Sequence, residues 1–322
     1  MVMFLLGAAY APAQETPPAG EPAAAQLAAP IPVYIGMYVN RIECIDLKQG
    51  CFTADFWVWF RWKDESVKPL ETFDVANGQV ESKEGIASEP FGGWQYMYCR
   101  IRATIFESFN LAGFPFDGQR LSICIEDGMR EVEEFQYIPD RESCRLDPGI
   151  ALQGWKIKDV AQSVTAHKYT SNFGDPSIDP TAGASYSRFE FTIDVEREGS
   201  AVSLSLKFFW TLFVSVLIAL LTLFIKPTDV DPRFGLSVGG LFAAVAGSLV
   251  VASSLPDTAC LTVADKVNAL GIATILIVML ESVVSLRLAE ADRQKLSAKI
   301  DIVSFVVLLV LFSVAALLLI AT

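Results

Sequence analysis

RFEFTIDVEREGSAVSLSLKFFWTLFVSVLIALLTLFI, residues 188–225, contains a change of solvent. Up to Arg197, Phe189, Phe191, Ile193 and Val195 alternate with Arg188, Glu190, Asp194 and Glu196 as their charged neighbours. A period of two marks a strand with one face in a core. From 208 to 225 no side chain ionises, and such a run has about the ~20 residues a helix needs to cross ~30 Å of hydrocarbon. Upstream the chain is charged and strand-like. Downstream three more apolar stretches follow, at 234–255, 264–288 and 302–322. The fold expected is therefore an antiparallel β-sandwich of immunoglobulin-like form, 33–198, followed by a four-helix transmembrane bundle, 199–322. The spans are placed at about 203–225, 234–255, 264–288 and 300–321.

Working upstream, 52–62 repeats the alternation, with Phe52, Ala54, Phe56, Val58, Phe60 and Trp62 on one face. Leu121, Ile123 and Ile125 do the same, and 96–106 reads as a further strand. Asn77-Gly78, Asp127-Gly128 and Gly174-Asp175-Pro176 punctuate these segments as turns. Short strands at such spacing indicate a sandwich. Trp57 and Trp59 fall on the outward face; they cover a sheet edge or loop, or they form a subunit interface, where Trp is enriched. The interface is the favoured reading.

The start, 1–14, resembles the remnant of a signal peptide, with Ala11, Pro12 and Ala13 ahead of a cut. Residues 15–32 form a Pro/Ala-rich lead-in. Net charge is −12 over 322 residues, which disfavours nucleic acid as a partner and concentrates cations around an acidic head. His167 is the only histidine, so a His-rich metal centre or a Ser-His relay is not expected. Lys226 and Arg233, and Arg293, Lys295 and Lys299, mark two connections as cytoplasmic. The head and the C-terminus then lie outside, where disulfides are tolerated. Cys44 and Cys51 flank a turn and stand as a candidate bridge; the other cysteines have no deducible pairing.

The run FNLAGFPFDGQ, 109–119, with Phe114-Pro115-Phe116-Asp117 at its centre, resembles the Pro-loop of the pentameric ligand-gated ion channels, in the form found in bacterial members. Arg197 matches the arginine that precedes the family's first span, and the strand pair at 39–62 resembles the first two strands of those channels. Two departures stand out: the first span lacks the proline usual there, and the loop after the second span keeps Pro256 but no second proline. The resemblance implies a homopentamer in the plasma (inner) membrane, its heads periplasmic, with one central pore, a small-molecule or cationic ligand between heads, and no enzymatic activity or required cofactor.

It also assigns roles. Helical spacing selects Gly235, Gly239, Phe242, Ala246, Leu249 and Ser253 as one stripe of the second span. Small residues there serve helix packing or a water column; the family register makes them pore lining, with a Phe242 ring as an apolar gate. Asp231, with Asp229 nearby, offers an acidic ring at the pore mouth, which favours cations, whereas Pro232 is a feature of the family's anion channels. Ligand contacts expected from the family are Trp57, Tyr98 and Arg100 on one face and Glu126, Phe173 and Tyr186 on the other. An aromatic box with a carboxylate suits an ammonium group.

Glu126, Asp127 and Glu131, crowded with Glu133 and Glu134, offer hard oxygen donors for a modulatory Ca²⁺, or else form a solvated loop. Coupling between head and membrane is expected at Asp46 and Lys48, the loop Phe114, Pro115, Phe116 and Asp117, Arg197, and Pro256 with Asp257. Asp46 or Asp117 is the expected partner of Arg197. Glu281, a carboxylate inside the third span, calls for a partner in the bundle or in water. The competing functions are a non-conducting or anion-selective receptor of the same fold and, with less support, a membrane-anchored enzyme.

Overall fold

A computed structural model describes residues 29–321 apart from 175, 177, 178, 180, 182, 258 and 259. The expected leader and most of the lead-in thus lie outside the described residues; strand structure already begins at Ile31. The first sheet contains β1 (Ile31–Asp46), β2 (Cys51–Trp62), β4 (Gly78–Ser88), β5 (Gln95–Phe106), β7 (Phe135–Pro139) and the short β8 (Arg145–Leu146). Its order is β4-β5-β2-β1-β7, with β8 also on β1. The second contains β3 (Phe73–Val75), β6 (Gly118–Asp127), β9 (Trp155–Lys168) and β10 (Ser185–Arg197), in the order β3-β6-β10-β9. A one-turn helix, α1 (Pro69–Thr72), precedes β3.

Most pairs are antiparallel, but β7 and β8 join β1 in parallel, which corrects the wholly antiparallel expectation. The chain reaches β7 from β6, in the other sheet, so no tight hairpin fixes the direction of return.

The alternation read in β2 is the alternation of burial: Phe52, Ala54, Phe56, Val58, Phe60 and Trp62 are all buried. Leu121, Ile123 and Ile125 of β6, and Phe189, Phe191, Ile193 and Val195 of β10, join them in one hydrophobic cluster. Each large side chain removed from water there stabilises the head by about 1.5–3 kcal/mol.

The hairpin after β1 is not bridged. A register shift between Glu43 and Asp46 places Asp46 opposite Cys51, and Cys44 sits at φ 52° within the irregularity. Both Cys44 and Cys51 are free thiols.

Four helices follow: α2 (Ala201–Leu221, extended by a 3₁₀ turn at Thr222–Phe224), α3 (Val230–Ala252), α4 (Val263–Glu290) and α5 (Gln294–Ala321). Each is long and apolar enough to cross a membrane. Two of them start on polar caps: Ser200 accepts from the Ser203 amide ahead of α2, and Thr262 with Asp265 forms a reciprocal capping box ahead of α4.

Burial pushes the Cys99, Cys124 and Cys144 thiols up to about 11, which keeps them protonated and unreactive near neutral pH. Maleimide at pH 7.5, read by peptide mass spectrometry, is expected to label exposed Cys44 in the folded protein and to reach these three only after denaturation. An adduct on Cys99 in the native state would contradict this packing.

Candidate functional site

The stripe picked out on α3 is exposed along its whole length, Gly235, Gly239, Phe242, Ala246, Leu249 and Ser253 alike. Phe242 is 72% and Leu249 65% accessible, and a methyl added at Gly235 or Gly239 would meet nothing. The opposite face, with Arg233, Ser237, Gly240, Ala244 and Val251, is buried. There Gly240 lies against the Ser215 carbonyl of α2, and Ser237 shares a hydrogen bond with Thr222, 3.1 Å. One face of α3 is thus packed on its own bundle and the other is unpartnered within the subunit. Asp231 is exposed in the first turn.

Arg233 behaves differently from a loop cation. It is fully buried, and its Nη2 lies 2.6 Å from Asp301 Oδ1 on α5 and 3.2 Å from Glu281 Oε2 on α4. Nη1 reaches the other Asp301 oxygen at 3.4 Å and the Ile225 carbonyl at 3.2 Å, and Nε donates to Ser282 at 3.0 Å. Glu281 and Asp301 answer the desolvated guanidinium from two helices. Glu281 therefore has a partner inside the bundle.

At the opposite end of α3 the head meets the helices. Lys48, in the β1–β2 turn, donates to the Ser253 carbonyl at 3.3 Å. The loop before β6 docks on α4: the first amides of that helix, Val263 and Ala264, donate to the Ala112 and Phe114 carbonyls at 3.1 and 3.0 Å. Helix starts leave such amides without intrahelical partners, so the loop satisfies donors that would otherwise need water. Phe114 inserts among apolar helix residues, edge-on to Phe208 at 5.2 Å, and the Phe114–Pro115 peptide is cis.

Asp117, buried, takes Arg197 Nε at 3.1 Å on one oxygen and Gln119 Nε2 at 2.5 Å on the other. The Arg197 guanidinium lies 4.2 Å from the Trp155 ring centroid and 5.1 Å from that of Phe114. Of the two partners expected for Arg197, Asp117 is the one it meets. Asp46 instead caps its own turn, accepting the Lys48 and Gln49 amides, because the irregular end of β1 points it back at the hairpin. Phe116 packs beside the helical cluster; Pro256 is half-buried and Asp257 exposed in the α3–α4 connection.

The expected ligand contacts fall into two sets on different sheets. On the first sheet Trp57 tilts over Tyr98, with centroids 5.9 Å apart, and Arg100 forks onto Asp55 at 2.8 and 2.6 Å. Trp59 does not form part of this set. Its indole lies against Gly36 and donates to Asp140 at 3.3 Å, so its own subunit partly covers it.

On the second sheet Phe173, Tyr186 and His167 gather around Tyr169, at 5.2, 5.8 and 4.6 Å. Glu126 accepts Arg188 Nε at 2.6 Å and the Tyr169 hydroxyl at 2.7 Å. Burial, followed by the hydrogen bond to Glu126, raises the Tyr169 phenol above its ordinary value. The acidic run does not converge: Asp127 accepts the Met129 and Arg130 amides and the Thr72 hydroxyl, and Glu131 accepts the Ser185 amide at 3.2 Å. No three carboxylate, thiol or imidazole groups gather into a metal cage among the described residues. Each oxygen ligand expected for calcium is directed into the subunit's own turns and pairs.

No protein-family model and no curated protein matches this chain. The sequence reading missed Trp155, Tyr169, Arg188 and the role of Arg233. For Trp155 the deciding fact is its pairing opposite Arg197 across β9 and β10, a register that no local pattern encodes.

Removing one side of a buried ion pair costs about 3–5 kcal/mol, because the other charge stays behind. Asp301→Ala is accordingly expected to lower unfolding stability in detergent by up to that amount, while Arg233→Met combined with Asp301→Leu and Glu281→Gln, which removes all three charges, recovers most of it. A calorimetric midpoint unmoved by Asp301→Ala would show that the pair is not formed. Arg197→Ala is expected to cost a similar ~3–5 kcal/mol by stranding Asp117. Arg197→Lys should recover only part of this, since an ammonium has no planar face to lay on Trp155; full recovery would argue for charge alone.

Proposed function

We propose that the chain is one subunit of a homopentameric ligand-gated ion channel: a β-sandwich head of immunoglobulin-like form, outside the plasma membrane, that controls a pore lined by α3. The observation that carries this reading is the two-sided character of α3. Its packed face is tied to the subunit's own helices, and its exposed face presents glycines, Phe242 and Leu249 with no partner in the subunit. A second copy covering each stripe in full would leave it dry; five copies around an axis leave a column for water, narrowed where the Phe242 rings meet and dewet.

The connections to the head support the gating part. α3 is held at Ser253 by Lys48, and α4 at its first turn by the loop 112–114. Movement of the head therefore acts directly on the helix pair that frames the stripe.

The charge distribution supports cation permeation. Arg233 would place a positive ring at the mouth if it faced outward, but Asp301 and Glu281 hold it inside the bundle. The exposed charge in the first turn of α3 is Asp231, and acidic rings favour cations. A non-conducting receptor of the same form is the second reading, favoured by the apolar Phe242.

Reconstituted in planar bilayers, the protein is expected to give unitary currents whose reversal potential follows the potassium gradient. Phe242→Ala should raise open probability by about tenfold or more, as the apolar constriction widens and wets. Reversal that follows chloride would reject cation selectivity, and silence in both proteins would favour the non-conducting receptor.

A further inference from the structure

A further pocket lies on the outward face of the first sheet, beside the expected ligand contact Tyr98, whose ring is 5.5 Å from that of Tyr96. Strand register builds it. Tyr34 pairs with Arg61, Arg61 with Tyr96, and the Glu89 amide bonds the Tyr96 carbonyl at 2.9 Å. These four side chains therefore stand in one row across the sheet, at about 4.8 Å per strand. The next row begins with Gly36 and Trp59. Any Cβ at Gly36 would fall within the Trp59 indole, so glycine is what allows that ring to lie flat as a floor.

A tight hairpin makes the far wall. Phe91 and Trp94 exchange backbone hydrogen bonds at 2.9 and 3.0 Å around Gly92 and Gly93, at φ 59° and 81°. Two consecutive positive φ values are the signature of a type I′ turn, which glycine adopts without strain. The hairpin sets Trp94 edge-on to Tyr34 at 5.6 Å and leaves Phe91 83% accessible at the rim. The open cavity so formed measures about 850 Å³.

Its charges are of both signs and are not paired with each other. Arg61 stands over the Tyr34 and Trp94 rings at 5.2 and 5.6 Å, and Lys63 lies 4.6 Å from Trp94. Neither cation makes an ion pair among the described residues, and Glu89 has neither an ion pair nor a side-chain hydrogen bond among them. Asp140, on the other flank, accepts from Trp59 and Ser143. A cation flanked by carboxylates over aromatic walls is complementary to a ligand that carries both charges and an apolar body.

We infer that this cavity binds a small zwitterion of the amino-acid class with an aromatic or large apolar side chain. Its carboxylate lies on Arg61, its ammonium faces Glu89 and the aromatic faces, and its side chain is stacked between Trp59, Trp94 and Phe91. This site is independent of the channel reading, because it needs only one subunit.

Titration calorimetry of the full chain in detergent, with phenylalanine, phenylalaninamide and N-acetylphenylalanine as probes, tests it. Saturable binding of phenylalanine is expected, with each single-charge analogue at least about tenfold weaker, the scale of one lost charge-assisted hydrogen bond. Arg61→Gln should weaken phenylalanine by a similar factor while leaving phenylalaninamide unchanged, and Glu89→Gln should do the converse with N-acetylphenylalanine. Both replaced side chains are exposed, so the fold should be retained. Absence of saturable phenylalanine binding, equal binding of either analogue, or indifference to both substitutions would overturn the inference.

Discussion

A guanidinium placed among apolar helices must be neutralised where it lies, and that constraint sets how three of the four helices stand together. Arg233 uses all three of its nitrogens, toward Asp301 of α5, Glu281 and Ser282 of α4, and the Ile225 carbonyl. Hydrophobic packing alone does not distinguish one rotation of an apolar helix in lipid from another, because lipid tails are as apolar as leucine. The Arg233 cluster does distinguish them. With that side chain turned inward, helical geometry turns Gly235, Gly239, Phe242 and Leu249 outward. The exposed stripe is thus a consequence of where one charge is satisfied.

The same helix meets the head at its other end through contacts of a different kind. Lys48 reaches the Ser253 carbonyl from a solvated turn, and the loop that carries Phe114 meets α4 through two backbone hydrogen bonds. The two ends are thus held by different means: buried ion pairs at one, and hydrogen bonds with the apolar packing of Phe114, Leu255 and Val263 at the other. Arg197 stands between these regimes: its charge meets buried Asp117, and its planar face meets Trp155 and Phe114. It thereby ties the last strand of the head to the loop that touches the helices.

Local periodicity made the elements readable. The alternation from Phe52 to Trp62 reports burial directly, and runs free of ionisable groups report the helices. What could not be read were partners far apart in the chain. Arg233 and Asp301 are 68 positions apart and Arg233 and Glu281 are 48 apart; the arginine looked like an ordinary loop cation, although Glu281 already stood out as a carboxylate in need of a partner. The Cys44–Cys51 pairing failed for a smaller reason. Spacing predicts a hairpin, but a single irregularity between Glu43 and Asp46 changes which residue faces Cys51, because side-chain direction in a strand reverses with each residue. The parallel pairing of β7 with β1 is likewise a property of the path between sheets and leaves no trace in composition.

Charge satisfaction also bears on what the head can recognise. Glu126 was expected to offer its carboxylate to a cationic ligand, yet both of its oxygens accept from within the subunit, one from Arg188 and one from Tyr169. A carboxylate already paired with a guanidinium contributes little net field, and breaking that pair to receive an ammonium would leave Arg188 without its counter-ion. The aromatic surfaces of Tyr169, Phe173 and Tyr186 remain, and they attract a cation only by their quadrupoles, about 0.5–2 kcal/mol per ring. The outward pocket around Arg61 differs in this respect, because its cation and the Glu89 carboxylate are not paired with each other. Where a ligand must bring its own charges, the groups that have no counter-charge in the protein are the ones with binding energy to offer.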